Sequence, residues 1–495
     1  MAEPLLLALD QGTTSTRAIL FDRAGQPLQT ASRPLRQSYP ADGWVEHDAL
    51  EIHQACLEVL KEVVERSARD VGDIAALGIT NQRETVVVWD KATGVPIHPA
   101  IVWQDRRTAD VCAALADSEA EVAAVTGLLL DPYFSATKIA WQLDNVPGAR
   151  TRAERGELLC GTIDAWLVWK LTGGKVHATD ATNASRTLLY DLDAQVWSPR
   201  MLGLFGVPGA LLPEVKDTAD DFGETLADIL GRPIPIRGVA GDQQAALMGQ
   251  GCIHAGEMKA TYGTGCFMLL HTGETRPVSK SRLLATVAAR IGGRASFALE
   301  GSIFVTGAAI QWLGEGLGVQ GGPRAAEELA RSARPGHGVV MVPAFTGLGA
   351  PWWDAGARGA LFGLTRDVGL GEIADAAYDA CAFQTRDLIE AMRADAPHAF
   401  GAESELRIDG GMASSAWFTQ RLADLAGQKV LWVTYQEATA LGAALFAGVG
   451  AGVFSGLEDA AGARPKAESF TPALDIHVRE SAYARWLDAV ARTRS

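Results

Sequence analysis

Residues Asp10 to Arg17, "DQGTTSTR", break what otherwise reads as two buried strands in succession, Leu5 to Leu9 before them and Ala18 to Asp22 after. A reversal between antiparallel strands needs only two to five residues and favours Asn-Gly or Asp-Gly. Here an acid, an amide, a glycine, four hydroxyl residues and a cation are gathered in one turn. Any fold for this chain must deliver that polar turn to the end of a buried strand pair. Backbone amides near Gly12, the hydroxyls of Thr13, Thr14, Ser15 and Thr16, and the charge of Arg17 form a nest that suits a phosphate chain. Asp10, at the end of the first strand, is placed to hold magnesium, directly or through water, while that ion bridges phosphate oxygens. The same residues also make a plain polar hairpin, and the turn alone leaves both readings open.

The pattern recurs at "GEMKATYGTGCFMLLHTG", a strand, a Gly-Thr turn at Tyr262 to Gly265, and a resumed apolar strand. Two such units predict two related lobes, residues 1–250 and 251–495, with phosphate loops facing each other across a central cleft. The chain has 495 residues, more than one core sustains. A third short strand is predicted near Leu28 to Ser32, and a helix capped by Asp48 with the apolar face Ile52, Ala55, Cys56, Val59, Leu60, Val63 and Val64. A buried strand then follows at Ile74 to Ile79. Strands and helices continue to alternate, which predicts an α/β fold.

Hydrophobic residues make up 48% and charged residues 21%, the usage of a folded globular chain. The formal net charge of −15 repels nucleic acid and anionic membranes, so neither is expected as a partner. The apolar run at Leu5 to Leu9 is flanked by acids and too short for an export signal, and no run reaches the length of a membrane span. Six cysteines without a CxxC pair fit a reducing cytoplasm. No P-loop, dinucleotide-binding fingerprint or protein-kinase catalytic loop is present.

Several residues have both a functional and a plain reading. Arg83 and Glu84 follow a strand end, where a cation beside an anion suits a small polyol or makes an exposed ion pair. Trp103 and Tyr133 supply faces for a carbon chain or belong to the core. Asp242, after the strand ending at Ala240, is placed either to take a proton from an attacking hydroxyl or to cap a helix. Thr264, Gly307, Gln311, Gly410 and Gly411 sit where a nucleotide can approach the backbone, or where the chain needs tight connections.

The motifs "DQGTTSTRAILFD", "GITNQRET", "IVWQDRRT", "PYFSATKIAW", "AGDQQAALMGQG", "TYGTGCFMLLHTG" and "DGGMASSAWFTQRLAD" together resemble the glycerol kinases of the FGGY family of carbohydrate kinases, over about Pro4 to Gly450. The resemblance implies two actin-like ATPase lobes of the ribonuclease H type, closing on ATP, magnesium and glycerol. It implies that Arg83, Glu84, Tyr133, Asp242 and Gln243 bind glycerol, with Trp103 and Phe267 against its carbons and Asp242 as general base. It assigns Thr13, Thr14, Ser15 and Arg17 to phosphates, Asp10 to magnesium, and Thr264, Gly307, Gln311, Gly411 and Ser415 to the nucleotide. Ser415 stands where the family usually has Asn. The short connection "LGRPIPIRG" lacks a regulatory sugar-bisphosphate loop found in some relatives, so that regulation is expected to be absent. The oligomeric expectation is a dimer or tetramer. The alternatives are a kinase for another polyol or a ketose, such as xylulose or dihydroxyacetone, and a non-catalytic actin-like nucleotide switch.

Overall fold

A computed structural model describes residues 3–401, 404–433, 437–464 and 466–494. The opening strand, Leu5–Gln11, is buried at every position and lies at the centre of a five-stranded sheet. It pairs antiparallel with Ser15–Phe21, which pairs antiparallel with Pro27–Pro34. On its other side it runs parallel to Ile74–Asn81, and that strand runs parallel to Ile236–Gly241. The three consecutive antiparallel strands read from the sequence are therefore present.

A second sheet, of seven strands, repeats this arrangement. Glu257–Tyr262 pairs antiparallel with Cys266–Gly273, which pairs antiparallel with Arg294–Ile303. On its other side Glu257–Tyr262 runs parallel to Glu405–Gly410, which runs parallel to Val430–Val433. Leu284–Ile291 and Ala467–Phe470 extend the two edges. Three antiparallel strands followed by two parallel ones, twice over, is the ribonuclease H-type architecture of the actin-like ATPases, in an α/β fold of two lobes. A smaller four-stranded sheet, which includes Val86–Asp90 and Leu158–Thr162, flanks the first lobe beside Arg83.

Helix Ala49–Ser67 forms as its sequence requires. Asp48 accepts from the amides of Leu50 and Glu51, satisfying donors that the first turn cannot pair internally. Its predicted apolar face is buried, and each Leu, Ile or Val so covered contributes about 1.5–3 kcal/mol.

The lobes are joined by helix-on-helix packing. Helix Ala438–Gly450, late in the chain, packs on the first sheet in a cluster with Leu6, Ala8, Ile19 and Phe21. It crosses helix Asp242–Gly249 at backbone contact: a Cβ at Gly442 would lie 1.8 Å from the Ala245 carbonyl oxygen, and one at Gly249 would lie 1.9 Å from that of Ala438. Small residues at both crossing points allow this approach. It brings the start of helix Ala438–Gly450, where Glu437 stands, to the phosphate turn.

Candidate active site

The phosphate turn is tighter than its composition suggests. The first strand reaches Gln11 and the second resumes at Ser15, so only Gly12, Thr13 and Thr14 lie between them. The Gly12 amide donates to the Ser15 carbonyl at 2.9 Å. Asp10 and Arg17 are thereby cross-strand partners. Arg17 Nη2 donates to Asp10 Oδ2 at 2.7 Å, and its Nη1 donates to Glu437 Oε2 at 2.7 Å. Burial pushes the Asp10 carboxyl up to about 6, against the pull of Arg17 and with the added repulsion of Asp242 and Glu437. Thr14 is exposed, Thr13 and Ser15 are half-buried, and Thr16 is fully buried, so three hydroxyls rather than four are open on the turn. Below it, Gln82 Nε2 donates to Gln11 Oε1 at 3.0 Å and to the Gly12 carbonyl at 3.2 Å.

Arg83 and Glu84 are not an exposed ion pair; they are 3% and 1% exposed. Their mutual approach is loose, 3.9 Å, and each has a stronger partner. Arg83 donates end-on to Glu300, Nη1 to Oε2 at 2.6 Å and Nη2 to Oε1 at 3.1 Å. Its Nε stands 3.1 Å from Asp242 Oδ1. Glu84 Oε1 accepts from Arg186 Nε at 2.7 Å, and Arg186 Nη2 also donates to Glu300 at 3.0 Å. Glu84 is held in a three-residue turn, with φ of 62° and the Thr85 amide donating to the Arg83 carbonyl at 2.7 Å. Such left-handed backbone at a non-glycine residue costs energy and is found where a side chain must be aimed.

The array holds three carboxylates against two guanidiniums. Arg186 and Arg83 overcome burial to hold the Glu300 carboxyl down to about 2, whereas burial dominates at Glu84 and pushes it up. Asp242 is the accessible end, its side chain 32% exposed. Gly241, not Asp242, occupies the cap position of helix Asp242–Gly249, so capping does not account for the acid. Its neighbour Gln243 accepts from the buried Lys259 ammonium of the second sheet.

Trp103 and Tyr133 meet edge to face, ring centroids 5.6 Å apart. The Trp103 indole also donates to Thr13 Oγ1 at 2.9 Å, which joins the aromatic pair to the phosphate turn. Arg186 lies 5.8 Å over the Tyr133 ring, and burial keeps that phenol protonated by pushing it up. Phe267 is half-buried on strand Cys266–Gly273, so its ring is offered by the opposite lobe.

In the second lobe Thr264 is exposed at its turn and Gln311 is exposed on helix Gly307–Glu315. Of the two readings of Gly307, the structure displays the tight connection. The amides of Thr306, Gly307 and Ala308 donate to the carbonyls of Thr264, Gly263 and Thr264 at 3.0–3.1 Å. A Cβ at Gly307 would lie 2.4 Å from the Gly263 oxygen, so this glycine serves the packing of helix on turn. At the diglycine, Gly410 is the position that needs glycine, with φ of 94° and the Tyr262 backbone beside it. Gly411 has ordinary helical dihedrals and is exposed. Ser415 caps helix Ala416–Ala426, its Oγ accepting from the Phe418 amide at 3.0 Å.

Sequence reasoning did not single out Glu300, Arg186 or Lys259. Glu300 is a lone charge in "SFALEGSIF", and Lys259 lies inside the strand "EMKATY", and a buried charge so placed must be paired. That was the available signal.

Duplicated ribonuclease H-type sheets, each carrying a Gly-Thr turn, with the accessible carboxylate of Asp242 beside the buried Arg83, define a sugar or polyol kinase of the actin-like ATPase architecture. Residues 5–249 match the N-terminal domain, and residues 258–451 the C-terminal domain, of the FGGY family of carbohydrate kinases; the chain belongs to that family. Its relatives include the glycerol kinase of Ectopseudomonas mendocina, 54% identical over 492 residues and 99% of each chain, and glycerol kinase 1 of Pseudomonas aeruginosa, also 54% identical over 99% of each. The crystal structure of Plasmodium falciparum glycerol kinase with ADP superposes with a TM-score of 0.94 at 33% identity, covering 99% of this chain and 98% of that one. A xylulose kinase from Rhodospirillum rubrum, 24% identical with a TM-score of 0.87 and covering 99% of this chain and 98% of that one, shares the fold.

Proposed function

We infer that this chain transfers the γ-phosphoryl group of ATP to a terminal hydroxyl of glycerol, giving sn-glycerol 3-phosphate and ADP. The observation that carries the reading is the Arg83–Asp242 pair at 3.1 Å, a buried guanidinium beside an accessible carboxylate. It is supported by relatives named glycerol kinase at 54% identity across the chain.

Arg83, Glu84, Tyr133 and Gln243 would orient the hydroxyls of glycerol, with Trp103 and Phe267 against its carbons. Asp242 would accept the proton of the attacking hydroxyl as its oxygen forms a bond to phosphorus and the bond to the ADP oxygen breaks. Thr13, Thr14, Ser15 and Arg17 would hold phosphates from the first lobe. Thr264, Gly307, Gln311, Gly411 and Ser415 would face the nucleotide from the second. Closure of the lobes excludes water, which would otherwise consume ATP.

Magnesium fits the donors present. Burial raises the Asp10 carboxyl, and the nearby carboxylates of Asp242 and Glu437 add to it, so a negative charge there would be relieved by a divalent ion. Among the described residues no group of three or more His, Cys, Asp or Glu forms a cage, in keeping with an ion bound by one carboxylate and the nucleotide's phosphates. When bound, the ion would supply charge neutralisation on the phosphate oxygens.

No helix of the described residues is long and apolar enough to cross a membrane. Six buried, unpaired cysteines support a cytoplasmic enzyme. A homo-oligomer, dimer or tetramer, is the expected assembly, to be read by sedimentation. The decisive experiment is ADP production from a panel of glycerol, dihydroxyacetone, xylulose and gluconate. Highest kcat/KM on glycerol supports the reading; preference for a ketose or no product overturns it.

A further inference from the structure

The polyol groups belong to the first lobe, yet the residue that fixes their guanidinium comes from the second. Glu300 lies on Arg294–Ile303, flanked in the ladder by Leu269 and Leu284, so its backbone is fixed from both sides. Its side chain is 2% exposed and is gripped by Arg186 as well as by Arg83. The end-on pair takes both terminal nitrogens of Arg83 and leaves the Nε edge turned toward Asp242. With Glu300 removed, the carboxylates nearest Arg83 are Asp242 at 3.1 Å and Glu84 at 3.9 Å. A guanidinium prefers a two-pronged grip on a carboxylate, and Asp242 would be its available partner.

A purely structural cluster is a poor account of this geometry. Burying charges to gain stability is seldom favourable compared with apolar packing. The array also runs from the buried centre to the one carboxylate that is open.

We propose that Glu300 is a positioning residue that holds Arg83 back from a two-pronged pair with Asp242, leaving that carboxylate free to receive the substrate proton. The proposal rests on the phosphorylation reading above. It makes the polyol site of one lobe dependent on the sheet of the other.

The test uses the full chain as wild type, Glu300→Gln, Glu300→Asp, Arg83→Ala and the Arg83→Ala/Glu300→Gln double variant. Glycerol kinetics are read beside ADP binding by calorimetry. Misplacing a group by about 1 Å can cost about 100-fold, and Glu300→Gln should lose about that much in kcat/KM for glycerol while ADP affinity stays unchanged. Glu300→Asp, which keeps the charge, should recover part of the loss. The double variant should be no worse than Arg83→Ala, because Glu300 acts through Arg83. Losses that multiply in the double variant, or unchanged glycerol kinetics in Glu300→Gln, overturn the proposal. If Glu300→Gln does not fold, Glu300→Asp carries the test: a raised glycerol KM with intact ADP binding supports the role, and parallel loss of both overturns it. A wild type that phosphorylates no glycerol overturns the functional reading itself, a result distinct from an active wild type whose losses multiply.

Discussion

The indole Nε1 of Trp103 donates to Oγ1 of Thr13 at 2.9 Å, tying an aromatic face proposed for the polyol to a hydroxyl proposed for phosphate. One hydrogen bond thus spans the two halves of the reaction. Trp103→Phe keeps most of the ring area and removes the donor. A hydrogen bond is worth about 1 kcal/mol net, roughly fivefold in an equilibrium constant. We expect KM to rise by that factor for ATP as well as for glycerol; a change confined to glycerol would show that the bond does not link the two.

Asp242→Asn retains shape and loses the proton acceptor. Turnover should fall by about 100- to 10,000-fold, with ADP binding by calorimetry nearly intact. Retained turnover would remove Asp242 as the base.

Ser415 spends one lone pair on the Phe418 amide. Ser415→Ala should cost about 1 kcal/mol of stability, read from urea midpoints. Ser415→Asn keeps a capping side chain and gains reach, so it should preserve stability and lower KM for ATP. An unchanged ATP KM would separate this position from nucleotide contact.

Asp164 is fully buried between the hydroxyls of Thr162 and Thr179, each donating at 2.5 Å. Burial pushes its carboxyl up to about 7 despite those bonds. In the unfolded chain it titrates near 3.9, so the folded state holds the extra proton between about 4 and 7. The stability this gives is full below the unfolded value and is lost as pH rises through about 7. Asp164→Asn cannot ionise and should gain on the wild type across that window. Urea midpoints for both proteins at pH 5 and pH 8 check this; a constant difference would show that Asp164 does not titrate there.

Gly410 has φ of 94°, and a Cβ there would lie 2.2 Å from the Tyr262 carbonyl oxygen. Gly410→Ala should destabilise by about 1–3 kcal/mol, read as a lowered Tm. Gly411→Ala meets no neighbouring atom within 4 Å and should leave Tm unchanged.

Much of the fold could be read from pattern. The apolar run Leu5 to Leu9, the three-four spacing of helix Ala49–Ser67 and the repeated Gly-Thr turns are local features. They led to two duplicated lobes because hydrophobic period and turn chemistry act over a few residues. Asp10, Arg83, Glu84 and Asp242 stand out for the same reason, each lying at or just past the end of an apolar strand, whereas Gln243, Phe267 and Ser415 are pointed to only by the family resemblance. The sequence left Gly307 open between nucleotide approach and a tight connection, because the carbonyls that pair with this helix start come from a turn more than 40 residues earlier.

By itself the sequence determined which chemical groups are present, which apolar runs become the buried strands beside them, and that two such units occur. Tertiary structure alone decided their partners. Arg17 meets Glu437 across 420 residues, and Arg83 meets Glu300 across 217. No local propensity records such distances. Buried charges must find a counterion wherever the packed lobes place one, and that choice is made by the crossing of sheets and helices.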